Sequence, residues 1–277
     1  MGAIDQKYER LKAILRGMES VVIGYSGGVD STFLAKVATD VLGQRALSVA
    51  AISESYPKWE RDEAEKFARE MGLHYERIET SEMDNPEYRK NDPTRCYHCK
   101  QELVTQLQRI ARTRGYKSFA IGTNYDDLGD YRPGRQAARE GGARSPLVEA
   151  ELTKEDIRIL SQRLGIPTWN KPSFACLSSR IPYGEEVTKE KLERIEQAED
   201  VLRELGFVQF RVRHHKDLAR IEVLPVEMPR LLEFREEITR RLKSIGYTFV
   251  AMDLLGYRTG SMNETLYKIG QTTGVGS

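Results

Sequence analysis

The sequence predicts an α/β fold: a doubly wound, mostly parallel sheet with helices on both faces, followed by a smaller C-terminal α+β domain. Three observations carry that prediction. Short apolar runs of strand length alternate with longer stretches of helical periodicity from residue 21 onward. A turn of paired glycines, Gly27 and Gly28, separates the first such run from the first such stretch. Past an irregular segment at 167–186 the order becomes helix, hairpin, helix and strand, so the boundary is set there, giving domains 1–172 and 173–277.

Taken in order, residues 21–25 are an apolar run that enters the glycine turn, and 32–42 carry Phe33, Leu34, Val37 and Val41 at helical spacing. Residues 46–52 read as a buried strand, 58–71 as a helix closed by Gly72, and 74–78 as a further strand. A helical pattern follows Cys96 through Leu103, Leu107 and Ile110, and 118–122 gives another strand. Such alternation implies βαβ units with right-handed crossovers. Residues 123–142 lose periodicity and fill with Asp, Arg, Gly and Pro, which marks a functional loop. Residues 153–164 restore a helix, with Thr153 and Asp156 as its capping pair. Beyond 186 come a charged helix at 188–205, a hairpin of 207–214 with 219–224, a helix at 228–245 and a strand at 247–254.

Composition narrows the function. The 277 residues are 39% hydrophobic, enough for a sizeable core, and 43 basic side chains nearly cancel 42 acidic ones, so no polyanion-binding surface is advertised. Residues 1–20 are charged and amphipathic rather than a signal peptide, and no run of about 18 apolar residues marks a membrane span. The chain is read as cytosolic and without a membrane partner. Its three cysteines, Cys96, Cys99 and Cys176, are an odd number that disfavours a disulfide framework and points to metal or redox chemistry.

Ser26-Gly27-Gly28-Val29-Asp30-Ser31 stands between predicted strand and predicted helix, where an open α/β sheet holds phosphate. Paired glycines let the backbone approach an anion, the helix start offers unpaired N–H groups, and the Ser26 and Ser31 hydroxyls add donors. The loop lacks the lysine of a Walker A motif, and its glycines are adjacent, unlike a dinucleotide fingerprint. It resembles the SGGxDS signature of PP-loop ATP pyrophosphatases, which implies ATP as substrate, transfer of AMP and release of pyrophosphate. Gly122-Thr123-Asn124-Tyr125-Asp126-Asp127 follows another strand on the same sheet edge. There Asp127 or Asp126, with Asp30, offers hard oxygen ligands to Mg²⁺. A plain Asn/Asp turn is the bland alternative. Ala51, Ile52 and Ser53 resemble the adenosine-contacting segment of that family.

Further motifs are more specific. They are Asp130-Tyr131-Arg132-Pro133-Gly134, Gly142-Ala143-Arg144-Ser145-Pro146-Leu147, Trp169-Asn170-Lys171-Pro172 and Cys176-Leu177-Ser178-Ser179-Arg180-Ile181-Pro182-Tyr183-Gly184. With Phe210-Arg211-Val212-Arg213-His214 and Ala219-Arg220-Ile221-Glu222 they resemble the LarE family across nearly the whole chain. The resemblance implies an ATP-dependent sulfurtransferase acting on a small-molecule nucleotide. Such an enzyme adenylates the carboxylates of pyridinium-3,5-biscarboxylic acid mononucleotide and converts them to thiocarboxylates for a nickel-pincer cofactor, using sulfide or another sulfur donor. It also implies a homo-oligomer.

Arg211 and Arg213 alternate along a strand and share a face, which suits a phosphate fork; Ser179 and Arg180 follow Cys176 on a loop aimed at the same ligand. The plain alternative is a solvated arginine face. Glu222 falls where the family offers a carboxylate to a metal at a subunit contact, against the ordinary reading of an exposed glutamate. Cys96, Cys99 and Cys176 resemble the members that hold a [4Fe–4S] cluster through three cysteines, with Cys176 catalytic. A sacrificial Cys176 that ends as dehydroalanine and a zinc site remain open alternatives. Among rival functions, a tRNA thiolase is disfavoured by the balanced charge, and a PP-loop amide synthetase by the lack of a glutaminase domain.

Overall fold

The computed structural model describes residues 2–129, 133–172 and 175–258; Asp130, Tyr131 and Arg132 of the motif above lie outside them. The chain forms two units, Met1–Tyr88 with Thr94–Phe174, and Arg89–Pro93 with Ala175–Ser277.

In the first unit α1 (Ala3–Met18) leads into β1 (Val21–Gly24), α2 (Val29–Leu42), β2 (Ala46–Ile52), α3 (Lys58–Glu70) and β3 (Tyr75–Glu79). After the single turn α4 (Pro86–Arg89) come α5 (Arg95–Arg114), β4 (Ser118–Ile121), α6 (Pro133–Glu140), the short α7 (Pro146–Glu149) and α8 (Lys154–Arg163). The strands are parallel in the order β3-β2-β1-β4. Alternation along β1 explains why its sequence is apolar throughout. Val21 and Ile23 join a core with Leu11, Leu15, Phe33 and Leu34, whereas Val22 joins a second core with Val104, Leu107 and Ile110. Burying each such side chain contributes about 1.5–3 kcal/mol, and both faces of the sheet are thereby covered.

The aperiodic loop expected at 123–142 contains α6. Its contact face is built from Gly134, Ala137 and Ala138 rather than large apolar residues. A Cβ at Gly134 would lie 3.1 Å from the Cys96 carbonyl oxygen, so small residues are what let α6 approach α5. The capping pair at Thr153 and Asp156 is present: Asp156 N–H donates to Thr153 Oγ1 at 3.1 Å, and Thr153 N–H to Asp156 Oδ2 at 3.1 Å.

The second unit holds α9 (Lys189–Glu204), β5 (Phe210–His215), β6 (Leu218–Val223), α10 (Met228–Glu233), α11 (Arg235–Ile245) and β7 (Phe249–Met252). The single helix expected at 228–245 is two, parted at Phe234, a ring packed against the unit's core. β5 and β6 form the expected hairpin, with β7 parallel to β6. Phe210 and Val212 face a core with Leu202, Ile221 and Leu242, which sends Arg211 and Arg213 to the opposite face.

Candidate functional site

The strand order places β2 and β3 on one side of β1 and β4 on the other, so the direction of winding reverses between β1 and β4. Ligands of open α/β sheets bind at such a reversal, beyond the carboxyl ends of the strands. Gly24 is level with both Val49 and Ile121, so the loops after β1 and β4 emerge side by side. They touch: a Cβ on Gly122 would lie 2.8 Å from the Ser31 nitrogen. Gly27 has φ +64°, and a Cβ there would lie 2.5 Å from the Ala64 Cβ. Glycine is required at both positions by contact, and at Gly27 also by backbone conformation.

No side chain caps the start of α2 at Gly28, in contrast to α8. Its first amides face the reversal point with the positive end of the helix dipole. Ser26 and Ser31 hydroxyls lie 3.0 Å apart, and Ser26 N–H donates to Ser31 Oγ at 3.1 Å, which fixes the shape of the loop. Tyr56 donates its hydroxyl to the Ser26 carbonyl at 2.8 Å. Lys171, from the Trp-Asn-Lys-Pro motif, reaches the Gly27 carbonyl at 3.4 Å and pairs with Glu63 at 2.5 Å.

Asp30, in the first turn of α2, accepts from Lys154 Nζ at 2.7 Å through Oδ2, and its Oδ1 is buried. Burial pushes this carboxyl above its ordinary range; the Lys154 ammonium opposes the rise and the Asp127 charge adds to it. Asn124 turns the next loop, its Oδ1 accepting from Asp126 N–H at 2.9 Å and its N–H donating to Asp127 Oδ2 at 3.1 Å. Asp126 instead accepts from the Lys154 backbone N–H at 2.8 Å, at the start of α8. The two aspartates therefore differ. Asp126 serves a helix end, whereas Asp127 acts electrostatically on Asp30, and a buried Asp30 carboxylate beside a second carboxylate fits a Mg²⁺ ion. Ser53, at the end of β2, donates to the buried Glu82 at 2.6 Å.

In the second unit the predicted substrate residues form a buried network. Arg180, fully buried, is bidentate with Glu199 at 2.8 and 3.0 Å and donates to the Cys176 carbonyl at 3.0 Å. Ser179 donates its backbone N–H and its hydroxyl to the same carbonyl, at 3.0 and 2.8 Å, so the backbone of Cys176 is pinned from several sides. Arg213 is bidentate with Glu222 at 2.9 Å on each arm and donates to the Ser179 carbonyl at 2.8 Å.

Arg211 differs. Among the described residues no carboxylate pairs with it; it donates to the Tyr257 hydroxyl at 3.1 Å and lies over that ring at 4.9 Å. Burial, then the charges of Arg180 and Arg213, push its guanidinium below the ordinary range. The arginine face is therefore not the solvated surface of the plain reading. Glu222 is likewise not the exposed glutamate of the ordinary reading: it is fully buried and both oxygens are engaged by Arg213.

Cys96 and Cys99 stand three residues apart at the start of α5 and share a face, in the first unit; Cys176 belongs to the second. None of the three is in a disulfide, and among the described residues no group of three or more ligating side chains is gathered for a metal. Two thiolates on one helix face are a donor set that suits a cluster or zinc equally. Lys154, Glu82, Glu199 and Tyr257 were not singled out from sequence. Each is one of many of its kind, and only the pairing across the fold distinguishes it.

A family described as NAD synthase matches residues 7–129, the part that carries both sheet-edge loops. An uncharacterized protein of Synechocystis is 45% identical over 96% of this chain and 100% of its own length. The pyridinium-3,5-bisthiocarboxylic acid mononucleotide synthase of Lactiplantibacillus plantarum is 38% identical over 97% of this chain and 98% of its own. A glutamine-hydrolyzing GMP synthase of Aeropyrum pernix is 28% identical over 66% of this chain and 39% of its own. Among the described residues no helix is long and apolar enough to cross a membrane.

Proposed function

The chain belongs to the LarE family, that of the pyridinium-3,5-bisthiocarboxylic acid mononucleotide synthase, and from that premise we propose that it is an ATP-dependent sulfurtransferase acting on the carboxylates of a pyridinium mononucleotide. The observation that carries the reading is the uncapped start of α2 at the winding reversal, with Asp30 and Lys154 beside it and no lysine in the glycine loop.

A substrate carboxylate oxygen attacks the α-phosphorus of ATP. The bond from that phosphorus to the bridging oxygen breaks, and the electron pair leaves with pyrophosphate, giving an acyl-adenylate and pyrophosphate. Sulfide then attacks the acyl carbon, and AMP departs with the electrons of the carbon–oxygen bond, leaving a thiocarboxylate. The open amides of α2 bind the β,γ-phosphates, and Lys154 and Lys171 supply the positive charge that a Walker lysine would otherwise give. Mg²⁺, held by Asp30 and Asp127, would neutralise charge on the leaving pyrophosphate. Arg211 binds the substrate phosphate, with Arg213 and Arg180 behind it as fixed neighbours and Ser179 at the loop edge.

For sulfur delivery we infer a [4Fe–4S] cluster on Cys96, Cys99 and Cys176, which would carry sulfide on an iron without a protein ligand. Product analysis tests the first part: AMP and pyrophosphate are expected, and ADP with inorganic phosphate would overturn it. Asp30→Ala abolishes adenylation. Arg211→Ala weakens substrate binding about 10- to 150-fold, the loss of one charge-assisted contact. Iron and acid-labile sulfide in anaerobically prepared protein test the cluster. Iron-free protein whose Cys176 loses H₂S in one turnover establishes the sacrificial route instead.

A further inference from the structure

Glu82 is an acid buried in the first unit: it is 5% exposed, and the partners found for its carboxylate are hydroxyls. A buried carboxylate needs donors. It finds three hydroxyls, from Ser53 at 2.6 Å and Ser55 at 2.9 Å on one oxygen and Thr80 at 3.1 Å on the other. The group stands where β2 and β3 end, since Ile52 is level with Glu79 and Thr80 N–H donates to the Ile52 carbonyl at 2.9 Å. It is tied to the glycine loop by Tyr56, whose N–H donates to the Ser53 carbonyl at 3.2 Å and whose hydroxyl donates to the Ser26 carbonyl at 2.8 Å. Strand spacing puts this cluster about 5–10 Å from the loop after β1, the reach of a nucleoside from its phosphates.

Each hydroxyl has one proton and two lone pairs, and an ionised carboxylate only accepts. The Ser53 contact is the shortest of the three, and with its proton drawn onto Glu82 the Ser53 oxygen presents only lone pairs, to the Ser55 hydroxyl at 3.1 Å and to a ligand; the Thr80 hydroxyl also lies 3.4 Å from the Ile52 carbonyl. Resting on the reading of the glycine loop as an ATP site, we propose that Glu82 is a positioning residue that fixes the hydrogen-bond polarity of Ser53 and so selects adenine. The exocyclic amino group of adenine donates to such a surface. The carbonyl oxygen at the same position of hypoxanthine or guanine meets it lone pair to lone pair. A hydroxyl free to rotate would accept either base; the buried acid removes that freedom.

Calorimetric titration of ATP and ITP, each with Mg²⁺, into wild type, Glu82→Leu and Ser53→Ala tests this. Wild type favours ATP. In Glu82→Leu the Ser53 proton loses its acceptor and the hydroxyl is free to turn, so the ATP-to-ITP preference shrinks about tenfold, one neutral hydrogen bond in size. Ser53→Ala shrinks it similarly and serves if the leucine variant does not fold. An equal weakening of both nucleotides, or an unchanged preference, overturns the proposal while leaving the ATP site standing. Wild type that binds neither nucleotide removes the ATP site and this proposal together.

Discussion

Replacing Glu222 by leucine should destabilise the second unit far more than an ordinary strand substitution. Both partners of the Arg213–Glu222 pair have fully buried side chains, and two contacts of 2.9 Å join them. Without Glu222 the guanidinium stays buried, keeping among its described partners the Ser179 carbonyl at 2.8 Å. Stranding one member of a buried pair costs about 3–5 kcal/mol, a large share of a typical total of about 5–15 kcal/mol. Substituting both members, Arg213→Met with Glu222→Leu, should recover most of that loss, because the pair's attraction largely offsets its own desolvation. Urea unfolding gives the size, read as a lower midpoint at unchanged slope. Hydrogen exchange at the amides of β5 and β6 shows that the loss is local. A single-variant loss below about 1 kcal/mol would refute the reasoning.

Three further outcomes follow from the first unit and from the histidines of the second. Gly122→Ala places a Cβ 2.8 Å from the Ser31 nitrogen; overpacking of this kind costs about 1–3 kcal/mol, and it should raise the KM for ATP by moving the start of α2, measurable in a pyrophosphate-release assay. Asp30 has a raised pKa, so its contribution to stability is full below the ordinary carboxyl value of 3.8 and is lost as pH rises through the higher folded value. Asp30→Asn should therefore melt higher than wild type at pH 7 while losing adenylation, and an unchanged or lower melting temperature would count against the burial argument. Burial holds His214 and His215 below 6.5, so their contribution is full above 6.5 and is lost as pH falls through the lowered values. Melting temperatures taken from pH 7 to 5 should fall less steeply in His214→Gln.

What the sequence revealed and what it hid divide along a physical line. The strands at 46–52 and 118–122 were legible because burial demands short, mostly apolar runs, and the cap at Thr153 because its partner Asp156 is three residues away. The glycine loop was legible because contact excludes a side chain at Gly27. Helix α6 was hidden, since a face of Gly134, Ala137 and Ala138 has helical spacing without hydrophobic bulk. The arginines were found on their strand, but not their partners. Glu199 looks like any other acid on a charged helix, and only the approach of Arg180, 19 residues away in the chain, gives it a role. Likewise Lys154 meets Asp30 across 124 residues, a separation at which no local pattern survives.

The segment Arg89–Pro93 belongs to the second unit although the first unit's sequence flanks it on both sides. At its centre Asn91 is fully buried, has φ +55°, and donates its carboxamide to the carbonyls of Ile181, Pro182 and Glu185 at 3.2, 2.8 and 3.0 Å. During synthesis this segment leaves the ribosome long before its acceptors do. It must wait, unpaired, while about ninety more residues are translated, so the second unit cannot be completed until residue 185 has emerged. A gene cut at the apparent boundary would therefore release neither unit whole: the front piece would keep an asparagine with no acceptors, and the back piece would lack the strand of chain that staples its entry loop.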